Sequence, residues 1–186
     1  MGKIRTFLSL NIDQKSITKL EQIQKALKHL LKEYNIKWEN PEKFHLTIRF
    51  LGYIDENEIE FIKEELKKIS TGFEIIKYTV SGIDFFPHRK RPNVIFINLT
   101  EEYENANKFV TQIDQVITSF GIIPDKKFVP HITLGRFRHD KRKKITERFN
   151  FTPAPIELVF DSFYLMKSVL KSSGSEYEAI QKFKFN

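Results

Sequence analysis

Two short segments hold the residues best suited to chemistry: His45-Leu46-Thr47-Ile48 and His131-Ile132-Thr133-Leu134. In an extended strand, residues i and i+2 point to the same face with β-carbons about 7 Å apart. Each segment therefore presents an imidazole and a hydroxyl on one face and two apolar side chains on the other. That separation lets a His and a Thr reach one phosphate group, and two such pairs facing each other could hold it from both sides. Opening a cyclic phosphodiester needs one group to take a proton from water and another to protonate the leaving oxygen. Histidine suits both roles because its unperturbed pKa is about 6.5. One imidazole must be neutral and the other charged, which predicts a bell-shaped pH profile. The threonine hydroxyls can donate hydrogen bonds to the non-bridging oxygens, where negative charge accumulates. A lone His-x-Thr carries little weight, since a strand histidine is usually a hydrogen-bonded structural residue. Two copies in matching apolar context are much harder to dismiss.

Other chemistries find less support. A zinc site needs a third or fourth ligand, the chain has no cysteine, and there is no HExxH pattern. No GxSxG elbow, P-loop or GxGxxG motif is present either. No cofactor or metal is expected.

The elements that must position the two segments can be read from periodicity. Residues 4–11 alternate as a strand. Asp13 is placed to cap a helix whose apolar face is Ile17, Leu20, Ile23, Leu27, Leu30, Leu31 and Tyr34. A strand over 43–51 follows, closed by Gly52. Asp55 with Glu58 resembles a capping box ahead of a second helix bearing Ile59, Ile62, Leu66 and Ile69, which Gly72 ends. Residues 73–86 are β-rich, with Gly82 a bulge or bend. A basic loop at 87–92 leads to a strand at 94–99 and a helix over roughly 101–120, ended by Gly121. A strand is predicted at 128–137, and two more at 156–170 and 176–185, joined by a turn at Ser172, Ser173 and Gly174. Strand, helix, loop and strand thus occur twice, at 4–51 and 94–137. An offset of 86 residues aligns His45 with His131. The chain reads as two fused copies of one α+β unit, with a cleft near the pseudo-twofold axis.

The 186 residues suffice for one domain, or two lobes sharing a core. A net charge of +7 makes an anionic partner, nucleic acid first, as plausible as an ordinary lysine-rich surface. The absence of cysteine fits a reducing compartment. No apolar run is long enough to span a membrane, and no signal-peptide core is present, so a cytoplasmic protein is expected; a monomer is expected as well. Met1-Gly2 with Thr6 fits a loose myristoylation pattern, but the alternating strand is the better reading.

Segments 38–52 (WENPEKFHLTIRFLG) and 128–137 (FVPHITLGRF) strongly resemble the paired HxT signatures of the 2H phosphoesterase superfamily. Within it, the chain is similar to the bacterial and archaeal RNA 2′,3′-cyclic phosphodiesterases, also called 2′-5′ RNA ligases. The likeness extends to RTFLSL at 5–10, FFPHRKRPNVIF at 85–96 and SFYLMKSVLKSSGSEYEAI at 162–180. The resemblance implies an α+β fold of duplicated β-α-β units, forming two lobes around a concave, barrel-like antiparallel sheet. It implies that His45 is the proton donor to the leaving 3′ oxygen and His131 the proton acceptor from water. No metal takes part, and the product is a 2′-phosphomonoester. Thr47 and Thr133 correspond to the phosphate-binding threonines, and Arg136 to a supporting arginine. Strict alternation would turn Arg136 away from His131, but Gly135 could allow a bulge that re-aims it. By periodicity alone Arg49 is the better candidate, although an ordinary pairing with a carboxylate explains it equally well.

The partner implied is an RNA ending in a 2′,3′-cyclic phosphate, tRNA-derived ends included. Rival readings are reversible 2′-5′ RNA ligation by the same histidines, hydrolysis of a small cyclic phosphate, and a non-catalytic RNA-binding module. The basic run at 136–144 could guide an RNA backbone or simply be a solvated loop. Phe44, Phe85, Phe86 and Phe128 offer faces for base stacking but are read first as core. His29, His88 and His139 are read as surface residues.

Overall fold

The computed structural model describes residues 2–101, 104–124, 126–138, 145, 149–172 and 174–186. In chain order the described elements are β1 (Lys3–Asn11), α1 (Gln14–Leu30), β2 (Ile36–Trp38), β3 (His45–Asp55), α2 (Ile59–Ser70), β4 (Ile76–Phe86), β5 (Val94–Glu101), α3 (Asn105–Ser119), β6 (His131–Phe137), β7 (Glu157–Phe160), β8 (Ser162–Lys171) and β9 (Gly174–Lys184). Short 3-10 turns at Pro41–Lys43 and Glu56–Glu58 lead into and out of β3. The basic run at 139–144 and Ser173 of the last turn lie outside the described residues.

The strands form one antiparallel sheet in the order β7-β4-β5-β6-β3-β1-β8-β9, with β2 paired to β6. β7 stands at one end of this order and β8 near the other, yet Asp161 alone separates them in sequence. Consecutive Cα atoms are about 3.8 Å apart, so the sheet must curl until its two ends meet. The predicted continuous strand over 156–170 is therefore broken at Asp161. Its two halves serve opposite ends of the sheet, and the Asp161 carbonyl accepts from Phe185 N–H at 2.8 Å. The result is the expected concave, barrel-like α+β fold. Leu8, Leu10, Leu46, Ile48, Ile97, Ile132 and Leu134 face a core that is closed by the apolar sides of the helices. α2 packs on α3, β8 and β9, and α3 also meets β4.

The duplicated pattern is visible in the pairing. β1 lies beside β3 as β5 lies beside β6, and β3 meets β6 at Leu46 and Ile132. Each motif strand carries a bulge at the same place. Ile48 is the extra residue of β3 between Thr47 and Arg49, and Leu134 is the extra residue of β6 between Thr133 and Gly135.

Local signals prevailed where backbone geometry demanded them. Asp13 caps α1, its carboxylate accepting from Ser16 N–H at 3.0 Å. Gly121, at φ 76°, ends α3 in a Schellman arrangement. Its N–H donates to Thr118 O at 2.9 Å, and Ile122 N–H donates to Ile117 O at 3.0 Å. Gly82 lies at a register shift in β4. Other expectations gave way to packing. Asp55 makes no side-chain cap; it pairs with Lys3 at 3.5 Å instead. Gly52 does not close β3 but passes through a second bulge at φ 77°. The strand predicted from 128 begins at His131, because Pro130 has no N–H to give to a ladder. β2 is too short to announce itself by periodicity.

β2 approaches β6 closely only because residue 135 is glycine. A Cβ there would stand 2.8 Å from Ile36 Cγ2, 3.1 Å from Lys37 O and 3.3 Å from Trp38 Cα. At Gly82 a Cβ would meet nothing within 4 Å. Gly135→Ala is expected to cost about 1–3 kcal/mol by forcing β2 and β6 apart, and Gly82→Ala less than about 0.5 kcal/mol. Urea unfolding of both variants tests this, and equal stabilities would refute it.

Candidate active site

The junction of β3 and β6 brings the two motifs together. Leu46 opposes Ile132 in an antiparallel pair, which sets His45 beside Thr133 and Thr47 beside His131. His45, Thr47, His131, Thr133 and Arg136 all line one cavity of about 610 Å³. Glu39, Lys43, Arg49, Phe50, Phe86, Lys126, Lys127, Phe128 and Tyr177 complete much of its wall.

The two imidazoles are held alike. Nδ1 of His45 meets the carbonyl of Lys43 at 2.7 Å, and Nδ1 of His131 meets that of Val129 at 2.8 Å. A carbonyl only accepts, so Nδ1 carries the proton in both rings and the neutral ring keeps its lone pair on Nε2. Nε2 of His45 lies 3.0 Å from Thr47 Oγ1, whose hydroxyl can donate to it. Aromatic rings pack around both histidines. Phe7 and Tyr177 flank His45 with centroids 5.3 Å away, and Phe86 and Phe96 flank His131 at 5.0 and 5.3 Å.

This packing sets the electrostatics. Burial pushes His45 below the ordinary imidazole range, helped by His131 and Arg136 and opposed by the Lys43 carbonyl and Glu39. Burial likewise lowers His131, helped by Arg136 and opposed by the Val129 carbonyl. Desolvation raises the Tyr177 phenol, with Glu39 adding to the shift, so it stays a neutral donor.

The bulges decide which side chains enter the cavity. Strict alternation would bury Arg136; the extra residue Leu134 turns it onto the histidine face and sends Phe137 into the core. The carbonyl of Leu134 is pinned by Glu39 N–H at 2.8 Å and by Gln24 Nε2 at 3.0 Å. In β3 the equivalent bulge brings Phe50 to the position that Arg136 holds in β6. Phe50 stands opposite Phe7 and is exposed. Arg49, the alternative drawn from periodicity, is turned toward α3. Its Nε and Nη2 donate to the Asp114 carboxylate at 2.6 and 2.8 Å.

Of the aromatics considered for stacking, Phe44 and Phe85 are core, whereas Phe86 and Phe128 are partly buried in the cavity wall. His29 and His88 are exposed, and His139 lies outside the described residues. Sequence reasoning missed Tyr177, Glu39 and Phe50. Tyr177 reaches His45 only through the pairing of β9 with β8, which no local pattern encodes. Phe50 is concealed by the bulge. Among the described residues no group of three His, Cys, Asp or Glu side chains is placed to hold a metal ion, and no helix is long and apolar enough to cross a membrane.

The family model described as LigT like Phosphoesterase matches twice, over residues 11–96 and 97–177. An RNA 2′,3′-cyclic phosphodiesterase of Thermotoga maritima is 30% identical over 98% of this chain and 96% of its own length. Its namesake in Archaeoglobus fulgidus is 28% identical over 97% and 99%. A Thermus thermophilus protein of known crystal structure superposes with a TM-score of 0.82 at 24% identity, covering 98% of each chain.

Because both imidazoles are depressed, each should titrate below 6.5 in the free protein. Inorganic phosphate should raise both midpoints, since a nearby anion favours the charged form. The unfolded chain takes up these protons first as pH falls through about 6.5. Stability intact above that pH should therefore decline below it, down to the folded midpoints. Histidine NMR titration with and without phosphate checks this, and a midpoint at or above about 6.5 for either ring in the free protein would refute it.

Proposed function

The chain belongs to the LigT-like phosphoesterase family, and from that membership we propose that it is an RNA 2′,3′-cyclic 3′-phosphodiesterase working by two-histidine acid–base catalysis. The observation that carries this reading is the matched pair of imidazoles. Each is anchored through Nδ1 by the carbonyl two residues before it, and both line one cavity with two threonines and Arg136. The whole chain is taken as one domain of two pseudo-symmetric lobes, and a cytoplasmic monomer is part of the proposal.

On this reading His131 Nε2 takes a proton from water, whose oxygen attacks phosphorus. The bond from phosphorus to O3′ breaks, and His45 Nε2–H delivers a proton to O3′. The product keeps a 2′-phosphomonoester. Water loses one proton to His131 and the leaving oxygen gains one from His45, so the two rings exchange protonation states each turnover. Thr47 and Thr133 hydroxyls and the Arg136 guanidinium face the non-bridging oxygens, where negative charge grows. Phe50, exposed at the cavity rim, offers a face to the terminal base.

Glu39 supports the assignment of His45 as the acid. A carboxylate beside His45 favours its protonated form, and none among the described residues acts comparably on His131. The incoming anionic phosphate favours protonation further, offsetting the burial that keeps the ring neutral at rest.

The test is turnover, in EDTA, of a short RNA ending in a 2′,3′-cyclic phosphate. The wild type should release a 2′-phosphate, and His45→Ala and His131→Ala should each lose at least about 10²-fold. Arg136→Ala should lose about 10–10²-fold, while Arg49→Lys, with its cation near Asp114, should stay much closer to wild type. A fully active histidine variant would overturn the mechanism. An inert wild type that still binds the RNA would favour a binding module.

A further inference from the structure

The concave face does not end at the cavity. Along β3 the bulges place Phe50 opposite Phe7 and Tyr53 opposite Arg5, all on the face that carries His45. Phe50 is 62% and Tyr53 64% exposed, a large apolar and aromatic area for a monomer to leave in water. Arg5 lies with them. Its Cζ is 5.9 Å from the Phe50 ring centroid, and its Nη1 donates to Ser168 Oγ at 3.0 Å. Arg5 is thus held by a neutral hydroxyl, with no carboxylate among the described residues pairing with it, and its charge is free to act on a ligand. Two pairs further on, Lys3 is matched to Asp55 at 3.5 Å, which closes the positive stripe.

Phe7 and Arg5 are two residues apart, so their partners Phe50 and Tyr53 stand about 7 Å apart along the sheet. That is roughly twice the ~3.4 Å rise per nucleotide of a stacked strand. The two rings therefore suit successive bases of an extended single strand, not a helix. A guanidinium beside exposed aromatic rings is the pattern that binds single-stranded nucleic acid without reading its sequence.

We infer that Tyr53 and Arg5 form a subsite for the nucleotide upstream of the terminal one, so that the preferred substrate is a single-stranded RNA end and not a small cyclic phosphate. The inference rests on the proposed hydrolase reading, and it commits the strand to leaving the cavity over β3 and β1. Tyr53 stacks the penultimate base, and Arg5 meets the phosphate between the two nucleotides. Nothing in the subsite touches the reacting atoms, so it acts on capture and not on the chemical step.

The experiment compares adenosine 2′,3′-cyclic phosphate with an eight-nucleotide RNA that ends in the same group. Tyr53→Ala should lower kcat/KM for the octamer at least about 5-fold, mostly through KM. It should leave the mononucleotide within about 2-fold, because the removed ring is exposed and outside the cavity. Tyr53→Trp should retain octamer turnover, and Arg5→Gln should weaken its salt dependence. Equal losses on both substrates, or an unchanged octamer rate in Tyr53→Ala, would overturn the subsite. A wild type that hydrolyses neither substrate would remove the hydrolase reading alone. Fluorescence anisotropy of an octamer ending in a 3′-phosphate would then decide, and unchanged affinity in Tyr53→Ala would sink the subsite by itself.

Discussion

The antiparallel contact of β3 with β6, centred on Leu46 and Ile132, is the constraint on which the rest depends. Only this contact sets one His-x-Thr beside the other. Both residues at the contact are fully buried, so a slip of one position would turn Leu46, Ile48, Ile132 and Leu134 toward water and the histidines into the core. The free energy of apolar burial therefore fixes the register that the chemistry requires.

Around this contact the two halves use the same devices. In each, the carbonyl two residues before the histidine holds Nδ1, and an extra residue after the threonine reverses the alternation. The second bulge has an additional support. Gln24 is wholly buried on α1, and its amide donates to the carbonyls of both Glu39 and Leu134. A helix residue outside the cavity wall thus ties the end of β2 to the bulge that aims Arg136. Loss of that tie would remove one of the two donors on the Leu134 carbonyl and the side-chain donor on the Glu39 carbonyl, which explains why a glutamine is tolerated there.

Much of this was legible in the sequence. Alternation marked the motif strands, the three amphipathic helices were readable from their apolar faces, and the repeated His-x-Thr pointed to the cavity. Gly135 even signalled the bulge beside Arg136. What was hidden is non-local. The break at Asp161 follows from the sheet curling until its ends meet, which no local pattern in residues 156–170 expresses. Asp55 had the right type and spacing for a cap, but Lys3 on the neighbouring strand captured it. Arg49 had the right face by simple counting; it still borders the cavity, but one inserted residue turned its guanidinium onto Asp114 of α3. Tyr177 entered the wall because β9 pairs with β8, a contact made by the last strand of the chain.

The substitution of Phe50 for a second arginine has a consequence for orientation. A ribose cyclic phosphate is asymmetric, with a base on one side and two inequivalent bridging oxygens. A cleft with perfect twofold symmetry would accept it in two poses of equal energy, with the two bridging oxygens exchanged. With a guanidinium on one side and an uncharged ring on the other, the poses are no longer degenerate. The duplicated fold supplies matched pairs of histidine and threonine, and the divergence at this single pair of positions gives the cleft a polarity.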